Sequence, residues 1–184
     1  MSSDLMVTGH EISDKDINRL LFQLLDKYND QELEVIHSFA YDYMLDGNRG
    51  IDNPLGMYGN QLTGDFHIVS TPTTHVLNIN NCLSRCQLEV DSFVSSAYSS
   101  GLACLMPDEM SLGVTLIELG GGNTSISVFN RGQMLYTDAL PIGGIHITND
   151  IARGLSTDFL SAERVKTLYG TTVMTSADHD EMIE

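Results

Sequence analysis

Apolar positions recur along this chain with two periods, and the changes of period mark its elements. Leu5 to Val7 is a short apolar run that predicts an edge strand. Ser13 then stands as an N-cap, with Asp16 three residues later and acids in the first turn. Ile17, Leu20, Leu21, Leu24 and Leu25 follow at i, i+3, i+4, i+7 and i+8. That spacing predicts a helix with one apolar face, ended by Tyr28-Asn29-Asp30. From Val35 the period becomes two. Val35, His37, Phe39, Tyr41, Tyr43 and Leu45 alternate with Ile36, Ser38, Ala40, Asp42 and Met44, which predicts a strand. Asp46-Gly47-Asn48-Arg49-Gly50 is turn chemistry, and Asn53-Pro54-Leu55-Gly56-Met57 is a loop whose proline and glycine block regular structure. Phe66 to Val69 reads as a buried strand broken by Pro72. Thr73 or Thr74 then caps a helix carrying Val76, Ile79, Leu83 and Cys86 on one face.

Leu88-Glu89-Val90-Asp91 leads through Phe93-Val94 into a small-residue helix, Ser95 to Met106, ended by Pro107-Asp108-Glu109. The apolar run Val114-Thr115-Leu116-Ile117 and the alternating run Ile126-Ser127-Val128-Phe129 flank Gly120-Gly121-Gly122, and together they predict a β-hairpin. A turn at Asn130-Arg131-Gly132 precedes a third strand, Gln133 to Ala139. These connections are too short for crossovers, so the strands are antiparallel neighbours. Helices are predicted from about His146 to Leu155 and from about Phe159 to Tyr169, the second closed by Gly170. The predicted class is mixed α/β: a strand-helix-strand-strand-helix module over residues 1–86, a connecting helix over 87–110, and a hairpin sheet with helices over 111–184.

Composition narrows the function classes. The chain has 184 residues, of which 42% are apolar and 18% charged, a globular balance. Lys plus Arg is 9 against 25 Asp plus Glu, a formal charge of −16. So acidic a chain repels nucleic acid and anionic membrane. No apolar run approaches the roughly 20 residues that cross a bilayer, and no secretory signal stands at Met1. The three cysteines form no zinc-like pairing. Cys82 and Cys86 share a helical face, which predicts buried free thiols and a reducing cytoplasm.

The hairpin carries the densest chemistry. Three consecutive glycines exceed what a turn needs. Without Cβ atoms, Gly120, Gly121 and Gly122 let backbone N–H groups approach a bound group, and a concave row of such donors suits phosphate. Glu118 entering the turn and Thr124 leaving it suit Mg²⁺ or its waters. Neither of the two common phosphate-loop patterns is present, and a glycine-rich hairpin without a ligand reads the same way. Gly143-Gly144 at a helix start is either an ordinary turn or a second close approach to phosphate, where helix N–H groups favour an anion. Glu163 and Lys166, at i and i+3, read by themselves as a solvent-exposed ion pair. His37 lacks any cluster at metal spacing and reads as structural. Asp178-His179-Asp180-Glu181, in the polar tail from Thr171 to Glu184, reads as a solvated charge run.

The glycine hairpin resembles the second phosphate hairpin of the actin-like ATPase superfamily. Leu112-Gly113-Val114, ELGGGNTSISVF from Glu118, Leu140-Pro141-Ile142-Gly143-Gly144, His146-Ile147-Thr148-Asn149-Asp150-Ile151-Ala152 and Ala162-Glu163-Arg164-Val165-Lys166 narrow this. In that order they resemble the FtsA family of bacterial cell-division proteins. The first half resembles the small subdomain 1C peculiar to that family, through His10-Glu11-Ile12-Ser13, Val35-Ile36-His37, Leu45-Asp46-Gly47, Gly50-Ile51, Asn53-Pro54-Leu55-Gly56-Met57 and His67-Ile68-Val69. The resemblance implies an actin-like, ribonuclease H-like fold, with residues 1–86 as subdomain 1C, 87–110 as part of 1A, and 111–184 as the start of 2A. It implies ATP and Mg²⁺ in the full-length protein, bound by Gly120, Gly121, Gly122, Asn123, Thr124, Gly143 and Gly144 at phosphate. It assigns Glu163 and Lys166 to adenosine, and Glu118 to Mg²⁺ through water. No tightly bound cofactor is expected of this stretch alone, and at most a weak ATPase of the whole. The implied partners are FtsZ, further copies of the same protein in a filament, and other division proteins such as FtsN. Membrane contact, on the inner face of the cell membrane, comes through a C-terminal helix not found in this sequence. The first lobe's own phosphate hairpin is also not found, so the chain is expected to be a piece from the middle of the family's sequence. Where the family has Asp, this chain has Glu118 and Ser125; Asn123 replaces a usual Thr and Ile145 a usual acid. The rival readings are another actin-fold ATPase, such as a sugar kinase, and a PilM-like pilus-assembly scaffold.

Overall fold

The computed structural model describes residues 1–29 and 32–173. The chain divides into two compact units. The first comprises Met1–Leu116 with Ile126–Asp138, and the second comprises Ile117–Ser125 with the described residues from Ala139 on.

In the first unit, β1 (Ser2–Met6), β2 (Leu33–Leu45), β3 (Asn48–Ile51) and β4 (Gln61–Pro72) form an antiparallel sheet in the order β1-β4-β2-β3. The first strand is at an edge, as its short apolar run predicts. Helix α1 (Asp14–Asn29) starts where Ser13 and Asp16 place it: the Ser13 amide and hydroxyl both donate to Asp16 Oδ2, at 2.9 and 2.7 Å. Those two bonds, with a smaller contribution from His10, hold the Asp16 carboxyl below its ordinary pKa. Leu20 and Leu24 of α1 enter a core with Leu5, Val7, Ile12, Tyr43, Leu45, Leu62 and Phe66. Pro54 is fully buried. The loop around it is pinned by Ile12 N donating to Met57 O at 2.8 Å and Gly56 N donating to Ile12 O at 3.0 Å.

Strand β2 departs from simple alternation. Its register against β4 slips by one residue between Val35 and His37 and again between Ala40 and Asp42. Each bulge turns the following side chains to the opposite face. Phe39 therefore packs with a second cluster built on Ala97, Phe129 and Met134, while Ala40, Tyr43 and Leu45 pack in the first core. The predicted single face from Val35 to Leu45 is thus split between two cores.

Other expectations are corrected. The segment assigned to a turn after Leu45 continues as strand β3, joined to β2 by Asp46 and Gly47. Strand β4 is longer than Phe66 to Val69. Helix α2 (Thr73–Arg85) buries Val76, but no threonine caps it, and Cys82 and Cys86 are exposed rather than buried. Helix α3 (Ser96–Cys104) stops before Pro107, which opens the short helix α4 (Pro107–Leu112) instead of ending a helix. Proline suits that first position because its missing N–H has no intrahelical partner to lose.

Strands β5 (Val114–Leu119), β6 (Thr124–Asn130) and β7 (Gln133–Leu140) form a sheet in sequence order, as the short connections require. In the second unit, α5 (Gly144–Leu155) and α6 (Phe159–Tyr169) follow the β7 exit. Asp158 caps α6, accepting from Leu160 N and Ser161 N, both at 3.0 Å. No helix among the described residues is long and apolar enough to cross a membrane. The acidic Asp178-His179-Asp180-Glu181 run lies outside the described residues.

Candidate functional site

The second unit gathers the predicted site residues around one turn. Gly120 N donates to Asn123 O at 2.9 Å and closes the hairpin. A Cβ at Gly120 would lie 2.8 Å from Asn123 O, so the closure itself requires glycine there. Gly121 and Gly122 are different. A Cβ at either position meets nothing within 4 Å, and neither has a positive φ. Packing and turn geometry within the chain leave both glycines unexplained. Gly121, Gly122 and Asn123 are exposed, and their amides have no partner among the described hydrogen bonds.

The start of α5 is seated directly on this turn. Gly144 N donates to Gly120 O at 3.0 Å and Ile145 N to Gly121 O at 2.8 Å. A Cβ at Gly143 would lie 2.5 Å from Gly120 O and 2.6 Å from Gly121 O, so any side chain there would push the helix away. Gly143 N donates to His146 Nδ1 at 3.0 Å, which leaves that nitrogen without a proton. The amides of Gly144 and Ile145 thus serve the seat, and that of Gly143 serves the helix start. The role of Gly143 and Gly144 visible here is close approach, and the open donors belong to Gly121, Gly122 and Asn123.

Two hydroxyls tie the hairpin. Thr124 Oγ1 donates to Ile142 O at 2.8 Å, anchoring the turn's exit to the segment that enters α5. Ser125 Oγ donates to Glu118 Oε2 at 3.0 Å. The Glu118 carboxylate is therefore steadied from the neighbouring strand by a serine. A second acid at 125 would repel it; the hydroxyl fits.

Glu163 and Lys166 are engaged well beyond a surface pair. Lys166 Nζ lies 2.7 Å from Glu163 Oε2, 2.8 Å from Thr148 Oγ1 and 3.2 Å from Gly144 O. Thr148, fully buried on α5, also contacts Glu163 Oε2 at 2.5 Å. The bond from Lys166 first, then that from Thr148, holds the Glu163 carboxyl below its ordinary pKa. This network clamps α6 to the first turn of α5, and so to the glycine turn. Sequence reasoning found Glu163 and Lys166 but missed Thr148, which no local spacing connects to them. A cavity of about 410 Å³ in the first unit, lined by Tyr41, Asp42, Arg49, Asn130, Arg131 and Leu135, contains none of the predicted residues. Among the described residues no group of three or more His, Cys, Asp or Glu could hold a metal ion directly.

Comparison with known proteins places both halves in one family. The model of cell division protein FtsA matches residues 115–184, and that of the SHS2 domain inserted in FtsA matches residues 2–70. The cell division protein FtsA of Agrobacterium fabrum is 42% identical over 95% of this chain. That of Pseudomonas aeruginosa is 35% identical over 97%. The chain belongs to the FtsA family. It spans 40% of the length of the first of these relatives and 43% of the second. Among solved structures, a chain of the PilM-PilN type IV pilus biogenesis complex superposes with a TM-score of 0.57 at 17% identity, covering 92% of this chain and 48% of that one. The FtsA family and PilM share the mixed α/β, actin-like fold, and at that identity the likeness is one of fold.

Proposed function

We propose that this chain supplies the second phosphate hairpin and the interaction subdomain of an actin-like, ATP-binding cell-division adaptor. The observation that carries this reading is the pair Gly121 and Gly122: among the described residues no contact requires them, and they leave room in front of three amides without a described hydrogen-bond partner. Phosphate oxygens accept from such donors through charge-assisted bonds. Gly143 and Gly144 bring the positive end of α5 to the same turn. The Lys166–Glu163–Thr148 clamp holds that helix in place, and its outer edge is where adenosine is expected. Glu118, steadied by Ser125, suits Mg²⁺ held through water. When bound, Mg²⁺ would supply charge neutralisation for the phosphates. The chain's own contribution is to position donors and to keep Glu118 oriented.

In the whole protein, this site regulates an adaptor that assembles with copies of itself and tethers the FtsZ ring to the cytoplasmic face of the membrane. Its first-half module contacts further copies and other division proteins such as FtsN. The two family matches, one on each half, favour division over the pilus-scaffold reading. Gly121→Ala and Gly122→Ala test the phosphate assignment in the full-length protein. Nothing within 4 Å opposes either methyl, so thermal stability should stay unchanged while ATP affinity falls at least tenfold, on the order of one charge-assisted hydrogen bond. Unchanged ATP affinity in both variants defeats the assignment.

A further inference from the structure

Residues 86–95 link α2 to α3 with neither helix nor strand of their own. The end of this stretch is fastened to the first sheet by one side chain: Ser95 N donates to His37 Nε2 at 3.0 Å. Ser95 is the N-cap of α3, so the bond sits where that helix begins. An imidazole nitrogen accepts a hydrogen bond only when it carries no proton. His37 is therefore neutral in this arrangement, with its proton on Nδ1.

The surroundings favour that state. The His37 ring lies 5.3 Å from Phe39 and 5.1 Å from Tyr98, centroid to centroid, and burial alone lowers its pKa. The titratable groups around it are the Tyr98 phenol on α3, His67 on β4 and His75 on α2. His67 meets Phe39 at 6.4 Å with its Nε2 buried and unpartnered. His75 lines a cavity of about 250 Å³ together with Ile36, Val76, Phe93 and Ser95. Glu34 and Asp91 line the neighbouring cavity. None of these charges is a cause of the shift on His37. A cavity thus borders the Ser95 side of the joint, while the His37 ring is packed against Phe39 and Tyr98.

We propose that His37 is an acid-operated latch between the first sheet and α3. Neutral, it holds the Ser95 amide. Protonated, it sets an N–H against an N–H and releases the start of α3. The latched form takes up a proton less readily than the released form. Release therefore becomes easier as pH falls below the ordinary imidazole value of 6.5, and levels off beneath the lowered value of the latched form.

Two measurements on the 184-residue chain test this. Imidazole ¹⁵N spectra at neutral pH should show His37 Nε2 unprotonated; a protonated Nε2 overturns the proposal. Hydrogen exchange at the Ser95 amide, corrected for intrinsic rate, should lose protection as pH falls from 7.5 to 5, approaching about tenfold per pH unit below 6.5 for one coupled proton. His37→Gln keeps an acceptor that does not titrate and should flatten this dependence, whereas His67→Gln should leave it. A protection factor independent of pH, or the same fall in His37→Gln, overturns the latch. Loss of the fall in His67→Gln transfers the effect to His67 and also overturns it. Should His37→Gln not fold, the tautomer and the His67→Gln comparison still decide.

Discussion

Gly101→Ala probes the second core of the first unit, because Gly101 of α3 lies against the Phe129 ring. A Cβ at 101 would lie 2.4 Å from Phe129 Cζ and 2.8 Å from Cε2. Carbon atoms in contact prefer about 3.5–4.0 Å, so the overlap exceeds an ångström. The ring is 1% exposed and packs with buried Ala97 and Met134, so it cannot swing into solvent. Overpacking of a closed core costs about 1–3 kcal/mol. Alanine regains about 1 kcal/mol over glycine in a helix interior. With an overlap this severe the upper part of the first range applies, and the net loss should be about 1–2 kcal/mol. For a chain of this length that is a fall in Tm on the order of 2–8 °C. Thermal unfolding followed by tyrosine fluorescence reads it, since the chain has 7 Tyr and no Trp. Phe129→Leu in the same background should recover at least about 1 kcal/mol relative to additivity. A Gly101→Ala chain as stable as the parent, or strict additivity with Phe129→Leu, refutes the packing of α3 on Phe129.

Two further outcomes are expected. If Glu118 holds Mg²⁺ through water as proposed, Glu118→Asp in the full-length protein should raise ATP turnover, because the carboxylate would sit one methylene closer to its own backbone; steady-state phosphate release that is unchanged or lower counts against this. Glu163 should titrate below its ordinary carboxyl value of 4.5. Its stabilising contribution is then complete above 4.5 and is lost as pH falls through the lowered value. Carboxyl ¹³C titration reads this directly; Lys166→Met should move the value back up, and an ordinary value in the parent chain contradicts the clamp.

Much of the fold was legible because it depends on local pattern. The i, i+3, i+4 spacing from Ile17 to Leu25 placed α1, and Gly120-Gly121-Gly122 between two apolar runs placed the hairpin. The face assignment of β2 failed because a bulge leaves no mark in an alternating sequence. Val35 to Leu45 keeps its period of two, yet the one-residue slip between Ala40 and Asp42 sends Phe39 and Tyr43 to different cores. Cys82 and Cys86 share a helical face, but spacing does not say whether a given position on that face is covered, and both thiols are exposed. Pro107 was read as a stop because a proline suits both the end of one helix and the first turn of the next. At the site, glycine content pointed to the turn. What separates Gly143, required by two carbonyls beneath it, from Gly121 and Gly122, required by nothing among the described residues, is a matter of distance. Thr148 stayed hidden because its partners Glu163 and Lys166 come from the next helix.

The proposed role of the Gly120–Asn123 turn is to hold phosphate. Its most direct test is titration of the 184-residue chain with Mg-ATP, following backbone amides by ¹⁵N correlation spectra. One hairpin supplies only part of the phosphate donors, and each charge-assisted bond contributes about 1.5–3 kcal/mol, so affinity should be weaker than micromolar. The amides of Gly121, Gly122 and Asn123 should shift first and together, with pyrophosphate reproducing the change. Shifts confined to other residues, such as those lining the Tyr41–Arg49 cavity, or none at millimolar nucleotide, would contradict the account.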